Sequence, residues 1–176
     1  MTDFVHLHLH TEYSLLDGAV KCGELMDHCV QNGIKAVAIT DHGNMYATLK
    51  FAEEAVKKGI KYIIGCEFYC CQDYRVKNAS NGDYDHLILL AKNKTGYRNL
   101  VQMDSIAFVD GFYYKPRIDY KLLREHSEGL ICLSACLAGR IPKLILKGNY
   151  EGAKATALEL QDIFGDDFYI EIQDHG

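Results

Sequence analysis

Proline and positive charge are both scarce in this chain. Two prolines in 176 residues argue against a disordered or repeat chain and suit one compact domain over residues 1–176. Nineteen Lys and Arg against 24 Asp and Glu give a net charge of -5. There is thus no basic footprint, and any nucleic-acid contact must be local, metal-assisted or supplied by other sequence. No apolar run approaches the roughly 20 residues that span a bilayer, and no basic amphipathic stretch offers a surface anchor, so no membrane partner is expected. The amino terminus lacks the basic and apolar segments of a secretion signal. Seven cysteines, an odd number without disulfide-framework spacing, point to a reducing cytoplasm.

What the chain does have is three histidines at alternate positions, in Phe4-Val5-His6-Leu7-His8-Leu9-His10. Read as a strand over residues 4–10, this places His6, His8 and His10 on one side and the aliphatic residues on the other. Neighbouring imidazoles would start roughly 6 to 7 Å apart at the backbone, close enough to converge on one cation. The alternative is a buried strand whose histidines are hydrogen-bonded inside a polar barrel.

Downstream, short apolar strands alternate with helical periodicity, the pattern of a parallel α/β arrangement. Helices are predicted near residues 21–32, 45–58, 96–108, 121–125 and 150–164, with strands at 36–39, 62–64, 86–90, 130–133 and 168–172. In the second helix Met45, Leu49, Ala52 and Val56 share the expected core face. Residues 72–84 read as a polar loop, either a lid or an excursion. Chemistry gathers at strand ends: Thr40-Asp41-His42-Gly43, Gly65-Cys66-Glu67, Asp85-His86 and Ser134-Ala135-Cys136. In parallel α/β folds sites assemble at the carboxyl ends of strands. Mixed N, O and S donors suit Zn, Mn or Fe better than Mg or Ca. Singly, each has a plainer role: Asp41 as a helix cap, Glu67 as a lysine partner, Cys136 as a small core residue.

Together, His8-Leu9-His10-Thr11, Thr40-Asp41-His42-Gly43, Gly65-Cys66-Glu67 and Asp85-His86 resemble successive motifs of the polymerase and histidinol phosphatase (PHP) superfamily. Glu12-Tyr13-Ser14-Leu15-Leu16-Asp17-Gly18-Ala19, Leu89-Leu90-Ala91-Lys92-Asn93, Gly96-Tyr97-Arg98-Asn99-Leu100, Gly111-Phe112-Tyr113-Tyr114-Lys115-Pro116-Arg117-Ile118-Asp119 and His126-Ser127-Glu128-Gly129-Leu130 are similar to its polymerase branch, the amino-terminal PHP domains of bacterial DNA polymerase III alpha subunits. The resemblance implies a distorted (β/α)7 TIM-like barrel of the PHP type. It also implies a cluster of up to three divalent ions, Zn, Mn or Fe. On the matching positions His8, His10, Asp17, His42, Glu67, His86 and Cys136 become metal ligands, and His8, His10, His42 and Glu67 act in catalysis through the bound metal. His6 and Asp41 take supporting places, Asp41 by accepting the second ring N–H of His42.

The last ligand motif of the family, an Asp-x-His, has no counterpart here, so the barrel is expected to be incomplete at its carboxyl end. That would leave an apolar sheet edge open to self-association. Asp174-His175 resembles the segment preceding that motif rather than the motif itself. His28 and His126 are expected on the surface or in packing.

For function, the resemblance implies metal-dependent phosphoester hydrolysis, as a 3′–5′ exonuclease in a DNA-directed DNA polymerase whose polymerising centre lies in the rest of the subunit. The expected partners are the 3′ end of a primer strand, the remaining domains of the alpha subunit and the replicase assembly. Lys115, Arg117 and Arg140 are candidates for phosphate contacts, with ordinary surface charge or packing as the alternative. Tyr113 and Tyr114 could stack on bases, or be half-buried strand or loop residues. Two other readings stay open: an inactive scaffold of the polymerase, and a free-standing histidinol-phosphatase-like enzyme that lacks the polymerase-branch segments.

Overall fold

In the computed structural model, residues 4–79 and 83–174 are described. The chain runs α1 (Cys22–Asn32), β1 (Ala36–Ile39), α2 (Thr48–Lys58), β2 (Lys61–Cys71), β3 (Asp85–Ala91), α3 (Lys94–Val109), β4 (Arg117–Asp119), α4 (Tyr120–Glu125), β5 (Leu130–Leu133), α5 (Arg140–Leu146), α6 (Tyr150–Phe164) and β6 (Phe168–Tyr169). Helix ends follow local chemistry. Gly33 and Gly59 close α1 and α2 in left-handed conformations, which only glycine adopts without steric cost. Asn93, Asp119 and Asn149 cap α3, α4 and α6 through side-chain oxygens that accept backbone N–H groups.

The strands form one mixed sheet of six, in the order β1-β2-β3-β5-β6 with β4 on the far end of β2. The expectation of a parallel sheet fails at β3, which runs antiparallel to both β2 and β5. The reason is the connection: the residues described between β2 and β3 contain no α-helix, and a return without a helical crossover lays the second strand antiparallel. Among the described residues the sheet does not close on itself.

Residues 4–10 do not form a regular strand. They lie beside β1, where Ala38 N–H donates to the His6 carbonyl and Thr40 N–H to that of Leu9. The Leu9 N–H goes to the Thr40 hydroxyl instead, which interrupts the ladder. Likewise the strand expected over 168–172 shortens to Phe168–Tyr169, because Glu171 N–H donates to the Ser134 hydroxyl rather than to a strand carbonyl. Helix α2 also turns the other way. Ala47, Phe51 and Ala55 are buried, while Leu49 and Val56 stay exposed; the stripe carrying the largest side chain takes the core.

Strand alternation separates two apolar layers. Cys66, Phe68 and Cys70 of β2 and Leu87 and Leu89 of β3 join the main core with the helices. Ile88 and Leu90 pack with Ala38, Leu133 and Ala135 on the inner face. By the same period of two, Glu67 and His86 point inward. The open inner face forms a cavity of about 850 Å³ whose lining includes Leu7, Ile63, Leu90 and Ile131.

Candidate metal centre

Glu67 is the hub. Its side chain is fully buried on the inner face of β2, and four imidazoles surround it. His86 Nδ1, from the start of β3, lies 2.9 Å from Oε1, and His8 Nε2 lies 3.3 Å from the same oxygen. His42 Nδ1, just past β1, presses on Oε2, with His10 Nε2 at 3.9 Å from that oxygen. His8, His10 and Glu67 make one donor trio and His42, Glu67 and His86 a second, each with its ligand atoms within 4.8 Å of one another. One carboxylate common to both trios is an arrangement that could bridge two cations. Asp17 Oδ2 stands 3.0 Å from His42 Nε2, and Cys136 Sγ 3.9 Å from His86 Nδ1, so both lie at the margin of the second trio.

The donor set fits a divalent cation by its buried polar atoms. His42 Nδ1 and Glu67 Oε2 are both buried and find no hydrogen-bond partner outside their mutual contact. A cation shared by them would satisfy both. The electrostatics agree. Burial opposes ionisation of Glu67, yet hydrogen bonds from His42, His8 and His86 hold its carboxyl well below the usual range. Burial likewise opposes charge on His8, but Glu171 and Glu67 raise its pKa to about 9. His86, against the same penalty, reaches about 9 through Cys136 and Glu67. His42 is raised chiefly by its contact with Glu67. His10, half-buried and stacked on His42 at 3.9 Å, is lowered by desolvation and by the neighbouring His42. The Cys136 thiol is lowered by its bond to His86. Imidazolium charge thus stands around one ionised carboxylate, where metal charge could replace it.

The PHP domain profile matches residues 6–175. This chain belongs to the PHP family. It is 49% identical over 177 residues to the DNA polymerase III subunit alpha of Treponema pallidum, covering 98% of this chain and 15% of that one. With the Thermus aquaticus subunit of the same name it shares 47% over 179 residues, with the same coverage. The chain therefore spans about 15% of the length of these relatives. Among solved structures it is similar to an amidohydrolase from Chromobacterium violaceum, with TM-score 0.42 and 23% identity over 59% of this chain and 33% of that one.

In this PHP domain the expected donors His8, His10, Asp17, His42, Glu67, His86 and Cys136 come together, but from an altered frame. His86 sits at the opening of β3, as expected, though that strand runs antiparallel, and Glu67 lies within β2 because β2 continues to Cys71 instead of ending at residue 64. The three alternating histidines split: His8 and His10 enter the centre, while His6 is exposed with its ring against Phe4. Asp41 does not touch the His42 ring. It accepts from Thr11 N–H and from the Thr11 and Ser14 hydroxyls, and Ser14 Oγ in turn accepts from His42 N–H. Its hold on His42 runs through Ser14.

Of the three candidate phosphate cations, Arg117 is excluded. It is fully buried and donates to the carbonyls of Gly111, Tyr74 and Val76. Arg140 is exposed on α5 with its guanidinium over Tyr120. Lys115 does line the cavity next to the centre. His28 is exposed on α1 and His126 caps α4, as expected; His175 lies outside the described residues. Tyr113 is half-buried and Tyr114 exposed. The residue that sequence reasoning missed is Glu171, whose Oε1 stands 2.7 Å from His8 Nδ1. An acid just past a short apolar strand, as in Phe168-Tyr169-Ile170-Glu171, was its signal.

Proposed function

We propose that this PHP domain is a metal-dependent phosphoesterase that removes nucleotides from the 3′ end of a DNA strand, as the amino-terminal part of a bacterial DNA polymerase III alpha subunit. The observation that carries the reading is the pair of donor trios joined by the buried Glu67. His8, His10, Asp17, His42, Glu67, His86 and Cys136 would hold up to three divalent ions, and their N, O and S mixture suits Zn, Mn or Fe. Such ions supply charge neutralisation at a phosphoester and an acidified water.

The chain's own residues do the positioning. Glu67 fixes four imidazoles, Glu171 orients His8, and Asp41 with Ser14 sets the backbone at His42. The contact between His8, beside β1, and Glu171, past β6, draws the two sides of the open sheet together and supports a distorted (β/α)7 barrel of the PHP type, with residues 1–176 in one domain. The primer 3′ end, the other domains of the subunit and the replicase are the expected partners, in the cytoplasm.

A scaffold without turnover is the second reading, favoured by the way the same centre fastens segments distant in the chain. The experiment is digestion of a 5′-labelled oligonucleotide with a mismatched 3′ end, after loading with Zn, Mn or Fe. A ladder of single-nucleotide losses that disappears in Glu67→Gln supports the nuclease. Stoichiometric metal uptake and a raised melting temperature without product support the scaffold.

A further inference from the structure

A cavity of about 560 Å³ adjoins the candidate centre, with Asp17, His42 and His86 among the residues of one wall. Its other wall carries Tyr46, Phe108 and Lys115. Tyr46 and Phe108 have ring centroids 5.9 Å apart, and Phe108 stacks on the exposed Phe112 at 6.4 Å. A run of rings therefore leads from solvent to the centre.

Beside it a tight turn, closed by Tyr113 N–H donating to the Lys115 carbonyl, carries Tyr114 at its tip. Tyr114 is 81% exposed and has φ 59, a left-handed conformation costly for any side chain but glycine. Its ring meets Tyr113 edge-on at 4.6 Å and otherwise stands open to solvent. Lys115 holds its ammonium 5.3 Å over the Tyr69 ring, which in turn lies against His42. It makes no ion pair among the described residues.

We propose that Tyr46, Phe108, Phe112, Tyr114 and Lys115 form a docking rim for single-stranded polynucleotide, with Lys115 on a phosphate and the rings on base faces. Rings that stack on bases reach them only where they are unpaired, and one unneutralised cation beside an aromatic run matches a strand of alternating phosphate and base. A small phosphomonoester would use none of this surface. The rim takes its catalytic meaning from the phosphoesterase reading, yet strand binding is measurable without turnover.

The test is fluorescence anisotropy of a labelled oligothymidylate with the 176-residue chain, metal-stripped and Zn-loaded, from about 50 to about 200 mM salt. Lys115→Gln should weaken binding about tenfold and lower the slope of log affinity against log salt by about one. Tyr114→Gly should weaken binding several-fold while its melting temperature holds or rises, since glycine accepts the left-handed backbone. A parent chain that fails to bind overturns the proposal and leaves the rim to a polypeptide partner. Variants that bind like the parent, or a Tyr114→Gly chain that loses stability along with binding, overturn it too. Hydrolysis of bis(p-nitrophenyl) phosphate by the loaded parent, read in parallel, separates the two ideas. Rim effects without turnover sink the phosphoesterase alone, and turnover without rim effects sinks the rim alone.

Discussion

His8 Nδ1 and Glu171 Oε1 stand 2.7 Å apart although 163 residues separate them. The other ring nitrogen of His8 faces Glu67. One imidazole is thus held between an acid of β2 and an acid past the last strand, and its orientation depends on both.

Replacing the outer acid should loosen that hold without unfolding the chain. Glu171→Gln is expected to lower metal affinity by about 10- to 100-fold, the usual effect of removing a ligand's orienting partner. Titration calorimetry of Zn uptake, with circular dichroism as the control for folding, would test it; parental affinity would deny Glu171 that role.

Glu67→Gln should be more severe. Both donor trios lose their common member, so bound metal per chain should fall to background by plasma mass spectrometry. In the metal-free protein the His8 and His86 titrations, followed by NMR, should move from about 9 back toward 6.5. Retained stoichiometry would mean the trios are not the binding site.

Metal uptake should release protons. With pKa values near 9, His8 and His86 are protonated in the metal-free chain at about pH 7.5 and must be neutral to ligate, so about two protons per chain leave from them. Calorimetry in buffers of different ionisation enthalpy counts them. Apparent affinity should climb as pH rises toward 9. The metal-free fold should do the reverse: a histidine whose pKa is raised by folding contributes stability that is complete below 6.5 and lost as pH rises through about 9.

Burial raises the Asp104 carboxyl to about 7, and its Oδ1 has no hydrogen-bond partner among the described residues. The folded chain then holds a proton that the unfolded chain releases, so this group lowers stability as pH rises from about 4 to about 7. Asp104→Asn should raise the melting temperature at about pH 8, by at most about 4 kcal/mol in free energy, and change little at about pH 4. A pH-independent effect would show that burial is not what sets this carboxyl.

Arg117 serves the fold. Arg117→Met leaves the carbonyls of Gly111, Tyr74 and Val76 short of a buried donor and should cost about 3 kcal/mol in urea unfolding. A neutral substitution would reopen a surface role for the guanidinium.

The grouping of side chains around Glu67 was partly legible because His42, His86 and Cys136 sit in short motifs at or just past strand ends, and strand periodicity turns Glu67 and His86 the same way. The helices were legible where apolar periodicity met a cap, as in α1 and α6. What was hidden depends on contacts distant in sequence. Hydroxyls of Thr40 and Ser134 take ladder hydrogen bonds, dissolving one expected strand and shortening another. The 72–84 connection brings β3 back antiparallel, Phe51 outweighs the Leu49 and Val56 stripe, and Arg117 goes inward because three carbonyls await it. No local pattern announces any of these.

The stitch between His8 and Glu171 has a consequence for biosynthesis. A ribosome makes His8 and His10 before the other members of the centre, and the acid that orients His8 emerges more than 160 residues later. At about 5 to 20 residues per second His8 waits many seconds for this outer acid, well after Glu67 has emerged. Cations captured in that interval meet an unfinished site and can leave again. The tightest hold on a cation is therefore reached only once the chain is translated past its sixth strand, through Glu171.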